Sequence, residues 1–163
     1  MLSDEERAEI EAEMAHFEQK RAACVEALKI VQRRRGWVSD ETLRELALIL
    51  EMSPDELDNV ATFYNLIFRH PVGKHVILIC DSVTCWIMGY PRIREHIASR
   101  IGAGLGGTSQ DGMFTFLPIP CLGTCDTAPA MIVDETLYQY LDPEKVDRIL
   151  DEVRGQGGNG AGS

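Results

Sequence analysis

The sequence holds no run approaching the ~18 apolar residues that a membrane-spanning helix needs, although 45% of its 163 residues are hydrophobic. Basic character is scarce: 26 acidic side chains stand against 16 basic ones, for a net charge of −10. The one dense basic run, Arg33-Arg34-Arg35, falls near a predicted helix C-terminus, where cations offset the helix dipole. A nucleic-acid partner is therefore not expected, nor is direct membrane insertion. The opening stretch MLSDEERAEIEAEM is acidic and lacks an apolar h-region, so neither a secretory signal nor an Arg-rich transit peptide is predicted and a cytoplasmic location is expected. There is no GxGxxG fingerprint, and GLGG at 104–107 lacks the following Lys-Ser/Thr of a phosphate-binding loop. Binding of NAD or flavin by this chain alone is not expected. There is no Cys-x2-Cys, which excludes a redox dithiol of that spacing.

What is present is a set of five cysteines, four of them in two pairs. Cys80 and Cys85 lie in CDSVTC, and Cys121 and Cys125 lie in CLGTC. The spacing is Cys-x4-Cys, then 35 residues, then Cys-x3-Cys. A reducing compartment disfavours disulfides, so paired cysteines there point to metal ligands or redox thiols. Four converging thiolates suit zinc or an iron–sulfur cluster. The wide spacing within each pair favours a 2Fe–2S centre, in which each iron takes two sulfurs, and Cys-x4-Cys opens the plant-type ferredoxin pattern. A four-cysteine zinc module, structural or interactive, stays open as the alternative of another class. Gly123 is expected to permit close backbone approach, and Ser82, Thr84 and Thr124 to donate hydrogen bonds to the sulfurs. Asp81 and Asp126, beside the ligands, are expected to hold the reduction potential low. Cys24 reads as a buried inert thiol. His16, His70, His75 and His96 share no ligand spacing, and Trp86 reads either as a shield or partner contact, or as ordinary packing.

Along the chain, Ser3 with Glu6 forms a capping box for a helix over 3–17. A break follows near Gln19 and Lys20. A second helix carries Ala22, Val25, Leu28 and Val31 and stops at Gly36. Ser39 and Asp40 cap a third helix, with Leu43, Leu46, Ala47 and Leu50 inward. Ser53-Pro54-Asp55-Glu56 opens a fourth, with Leu57, Val60, Ala61 and Tyr64. Beyond a connector with Pro71 and Gly73, strands are predicted at 75–80 and 114–119, a helix at 88–101, a hairpin at 130–133 and 137–140, and a last helix at 142–153. The expected fold class is α+β: a helical bundle over 1–70, a thioredoxin-like α/β domain with a mixed sheet over 71–154, and a disordered glycine-rich tail over 155–163. Both cysteine loops lie at one end of the sheet if the two cysteine-bearing strands run parallel.

VATFY at 60–64, CDSVTC at 80–85 and CLGTCDTAP at 121–129 together resemble the NuoE-type family, the 2Fe–2S subunits of bacterial respiratory complex I. The resemblance covers roughly residues 17–153. Tyr90, where many relatives carry a small residue, departs from it, as do the first residues and the tail. It implies a helical bundle followed by a thioredoxin-like ferredoxin domain, with one 2Fe–2S cluster on Cys80, Cys85, Cys121 and Cys125. It also implies an electron-transfer subunit of NADH:quinone oxidoreductase with no complete active site of its own. FMN and NADH would sit only in a partner subunit that passes single electrons to the cluster, with other peripheral-arm subunits nearby and the helical unit as the docking part. The assembly would lie peripheral to the inner membrane on the cytoplasmic side. The same module serves in NAD-linked hydrogenases and formate dehydrogenases, an alternative that keeps the cluster and changes the assembly.

Overall fold

The computed structural model describes residues 1–156 and divides into two units, Met1–Pro71 and from Val72 on. In the first, helix α1 (Asp4–Met14) opens on the predicted capping box. Ser3 Oγ accepts from the Glu6 amide at 3.2 Å, and the Glu6 carboxylate accepts from the Ser3 amide at 2.8 Å. The helix ends three residues short of the predicted limit, which leaves Phe17 40% exposed. A single 3-10 turn, Lys20–Ala23, follows and leads into α2 (Cys24–Arg35). The predicted stripe holds at Leu28 and Val31, while before them Ala23 and Ala27 take the inward positions that the prediction gave to Ala22 and Val25. Ala23, Ala27, Leu28, Ile30 and Val31 are buried, while Ala22 is exposed and Val25 half-buried. Gly36 stops the helix in the left-handed region at φ 79°.

Helix α3 (Asp40–Ile49) is capped by Ser39, and α4 (Pro54–Phe63) by the Ser53/Glu56 capping box with proline in its first turn. Ile10, Leu28, Leu46, Leu50 and Leu57 form the fully buried centre of this unit. Val60 is half-buried and Tyr64, which follows the helix, is 45% exposed, so the predicted inward face of α4 narrows to Leu57 and Ala61. The arginine run is more than a solvated helix end. Arg33 binds Glu9, Arg34 binds Glu5 and Glu9, and Arg35 forks onto Glu6, so the basic end of α2 is stitched to the acidic face of α1. Arg69 closes the unit, donating to Asp58 at 2.8 Å, to Asp40 at 2.6 Å and to the Val38 carbonyl.

The second unit begins with β1 (His75–Cys80), whose last four residues are buried. A short helix α5 (Val83–Ile87) and a longer α6 (Tyr90–Ile101) lead to β2 (Phe114–Ile119), then β3 (Met131–Val133), β4 (Thr136–Tyr138) and α7 (Pro143–Gln156). The sheet order is β2-β1-β3-β4. β1 pairs parallel with β2, His75 facing Phe114 and Cys80 facing Ile119, and antiparallel with β3. A mixed sheet with a helical crossover between its two parallel strands is the predicted arrangement. Ile93, Ile97 and Ile101 of α6 and Val146, Ile149, Leu150 and Val153 of α7 complete the core against the sheet residues Ile77, Ile79, Phe114 and Phe116. The β3–β4 turn uses Asp134 at φ 55°, and its carboxylate accepts from the Val76 amide at 2.9 Å, tying the hairpin to β1. Helix α7 runs through Gly155 and Gln156, two residues predicted as tail; the rest of the predicted tail lies outside the described residues. Among the described residues no helix is long and apolar enough to cross a membrane.

Candidate metal centre

Parallel pairing brings the C-terminal ends of β1 and β2 to the same edge, and the Asp81 amide closes that edge by donating to the Ile119 carbonyl at 2.9 Å. Cys80 is the last residue of β1 and is buried. Cys121 lies two residues past β2, and Cys125 opens a 3-10 turn, Cys125–Thr127; both are exposed. Cys85 departs from the sequence expectation. CDSVTC is not a loop throughout: Ser82 stands at the N-cap of α5, and Cys85 sits inside that helix, buried. Five residues are too few for apolar periodicity to reveal, which is why the helix was not legible.

The two segments meet at the sheet end, where the Cys80 amide donates to the Ala130 carbonyl at 3.0 Å. The Leu122 amide, next to Cys121, acts to lower the pKa of Cys80, and the Ala130 amide acts to lower that of Cys85 against the effect of burial. The Gly123 amide donates to Cys121 Sγ at 3.3 Å. Gly123 lies at φ 73° with open space where a side chain would stand, so its role is the left-handed turn that aims this amide, and not the close approach expected from sequence. The Ser82 oxygen is 3.4 Å from Cys80 Sγ and also contacts Cys85. Thr84 and Thr124 are not among the residues hydrogen-bonded to the sulfurs.

Electrostatics separates the two buried thiols. Burial raises the pKa of both, but at Cys80 the Ser82 hydroxyl, the amides of Leu122 and Ser82, and the Cys85 side chain outweigh it, and the net direction is down. At Cys85 burial dominates, the neighbouring Cys80 adds to it, and the net direction is up.

The donor chemistry fits an iron–sulfur group. Four sulfurs stand on two segments at one sheet edge, and one of them, Cys121, receives a main-chain amide, that of Gly123, of the kind that stabilises anionic sulfur. Among the described residues no group of three or more His, Cys, Asp or Glu side chains, the four cysteines included, is gathered closely enough to hold a metal ion. The histidines lie elsewhere. His75 starts β1, at the end opposite Cys80, and pairs with Asp134 at 2.8 Å. His96 pairs with Asp147 at 2.8 Å, and His16 and His70 are exposed. Cys24 is in the helical unit and only half-buried, not the buried thiol expected; it lines an open hollow of about 400 Å³ with Val60, Phe63 and Tyr64.

Two features of the site escaped the sequence reading. Trp86, 48% exposed, donates its indole N–H to the Asp81 carboxylate at 2.5 Å and stacks at a tilt on Tyr90, with centroids 5.1 Å apart. Tyr90 is buried at the start of α6. The outer face of α5 presents Val83, Ile87 and Met88 to solvent.

The chain matches the thioredoxin-like 2Fe-2S ferredoxin family over residues 10–154. It is similar to the E subunit of NADH-quinone oxidoreductase from Pseudomonas aeruginosa, 46% identical over 151 residues that cover 93% of this chain and 91% of the relative. It is equally similar to the Escherichia coli protein of that name, 46% identical over 153 residues covering 94% and 92% of the two chains. Among solved structures, the air-oxidised NAD+-reducing NiFe-hydrogenase superposes with a TM-score of 0.71 at 22% identity, over 82% of this chain and 23% of that one. At that identity the likeness is one of fold, and this chain spans less than a quarter of the hydrogenase chain. With its cysteine loops, mixed sheet and matched span together, the chain belongs to the thioredoxin-like 2Fe-2S ferredoxin family.

Proposed function

We propose that this chain is the electron-accepting 2Fe–2S subunit of an NADH:quinone oxidoreductase, with the cluster held by Cys80, Cys85, Cys121 and Cys125. The observation that carries this is the parallel pairing of β1 and β2, which brings the two cysteine segments to one end of the sheet, with the Cys80 amide donating to the Ala130 carbonyl at 3.0 Å. The 46% identity to NADH-quinone oxidoreductase proteins along nearly their whole length supports the assembly. When bound, the cluster supplies one-electron storage at low potential. The chain's residues hold it: Cys80 and Cys85 from within the core, Cys121 and Cys125 from the surface turn, and the amides of Leu122, Gly123 and Ala130 by stabilising sulfur charge.

Electrons would enter from the FMN of a partner NADH-oxidising subunit, so the chain contributes to an oxidoreductase without a complete active site of its own. The helical unit would serve as the docking part, which accounts for the exposure of Phe63 and Leu66 on it. The acidic surface and the absence of a spanning helix among the described residues suit a subunit on the cytoplasmic side, peripheral to the membrane through its complex with the flavin subunit and other peripheral-arm subunits.

Anaerobic purification tests this. Equal amounts of iron and acid-labile sulfide, a red-brown colour and a rhombic EPR signal on reduction are expected. A colourless protein with one zinc per chain overturns the reading. Co-purification with a flavin subunit and quinone-linked subunits is expected, and a hydrogenase or molybdenum subunit in their place would reassign the assembly.

A further inference from the structure

We infer that Asp81 is a positioning residue for the cluster site: a carboxylate held in place beside Cys80 that keeps the reduction potential low. The inference rests on the cluster reading above and goes beyond it in assigning the effect to one fixed charge. Asp81 follows Cys80 at the end of β1, and its amide is engaged with the Ile119 carbonyl, so its main chain cannot shift without opening the sheet edge. Its carboxylate is gripped in turn. The indole N–H of Trp86, the residue after Cys85, donates to it at 2.5 Å. The Tyr90 hydroxyl faces the same carboxylate, and Tyr90 is buried. The cation of this group, Arg94, is placed over the Tyr90 ring at 5.7 Å from its centroid. Two ligand-bearing segments, the end of β1 and helix α5, are therefore locked together through one negative side chain.

The contrast is Asp126, which stands beside Cys125 in the same sequence relation. It is exposed on the 3-10 turn and makes no side-chain hydrogen bond or ion pair among the described residues. Both carboxylates are exposed to solvent; a free one samples many positions, whereas the tethered one stays in one place beside the ligand segment and acts on it from a fixed position. Reduction adds one electron to the cluster and makes it one unit more negative. A fixed anion next to a ligand opposes that step more than a mobile one does.

The test is a dithionite redox titration followed by EPR and visible absorbance on the cluster-loaded chain, with dithionite supplying the electron. Absence of a cluster signal in the unaltered chain would count against the proposed function; the comparisons below address Asp81 itself. At the unaltered protein's midpoint, Asp81→Asn is expected to raise the ratio of reduced to oxidised cluster about threefold to tenfold, tenfold corresponding to 59 mV for one electron. Asp81→Glu, which keeps the charge, is expected to stay near the unaltered value, and Asp126→Asn to shift the ratio by less than half as much as Asp81→Asn. An Asp81→Asn shift that is downward, or no larger than that of Asp126→Asn, overturns the inference, as does an Asp81→Glu shift as large as that of Asp81→Asn. Should Asp81→Asn fail to load, Trp86→Phe decides. It leaves the charge but releases it, and a smaller upward shift supports the assignment while an unchanged potential refutes it.

Discussion

Glu6 offers a perturbation whose size can be worked from the structure. Its side chain is 3% exposed and accepts a two-pronged contact from Arg35, through Nε at 2.7 Å and through the terminal nitrogen, while also accepting from the Ser3 amide. The Arg35 hydrogen bonds lower its pKa most, burial works the other way, and the Ser3 amide and the Arg35 charge lower it further, from 4.5 to about 2. Such a drop corresponds to about 3 kcal/mol of folding stability. Arg35 is 31% exposed, and solvent screening brings the expectation to about 2–3 kcal/mol. The sign follows from the lowered value. The contribution is complete above the unfolded pKa, near neutral pH, and drains away as the pH falls from about 5 towards 2. Glu6→Gln removes the charge and keeps an oxygen for the capping box. Urea unfolding would be followed by Trp37 fluorescence in a Trp86→Phe background, so that the signal reports the helical unit. The variant should lose about 2–3 kcal/mol at pH 7, and the gap to the parent should shrink to less than half by pH 3. A loss under about 1 kcal/mol at pH 7, or a gap that does not narrow with acid, would refute the buried-pair reasoning.

The remaining expectations concern the cysteines and the core. Cys121→Ser should abolish or strongly alter the visible absorbance of the anaerobically purified protein, while Cys24→Ser should leave it intact; equal bleaching in both would contradict the ligand assignment. Ile97→Ala, in the fully buried stripe of α6, should destabilise the second unit by about 2–5 kcal/mol in denaturant titrations. A loss below about 1 kcal/mol would mean that the site collapses around the cavity, or that the stripe is less tightly packed than described.

Much of this was legible because local chemistry and global fold agree. Ser3/Glu6 and Ser53/Glu56 are reciprocal caps whose geometry is written in four residues, and both form. The continuous apolar run at His75–Cys80 announced a buried central strand, and the crossover helix allowed its parallel partner. The failures share a cause: each depended on partners distant in sequence or on segments too short to show a period. The pairing of Arg33, Arg34 and Arg35 with α1 joins residues more than twenty positions apart, as with Arg33 and Glu9 at a separation of 24. The helix under Cys85 is a single turn and a half, and at the start of α2, where a 3-10 turn precedes the helix, Ala23 and Ala27 are buried in place of the predicted Ala22 and Val25. The four cysteines stood out through spacing alone, yet the amides that reach them belong to Leu122, Gly123 and Ala130, whose side chains carry no signal of that role.

Because the β1–β2 ladder brings the two cysteine segments to one end of the sheet, neither half of the sequence holds both pairs together. Cys80 faces Ile119 across the sheet, and Cys121 follows two residues later, so the two cysteine segments come to one end of the sheet only after the crossover through α5 and α6 has closed. Long-range parallel pairing is among the slower events in folding a small domain. With the proposed ligand set, possession of all four donors is therefore a property of the finished sheet. A chain that has made its helices but not its ladder offers two separated cysteine pairs and no common place for a metal group to lodge, which makes cofactor uptake a readout of completed folding.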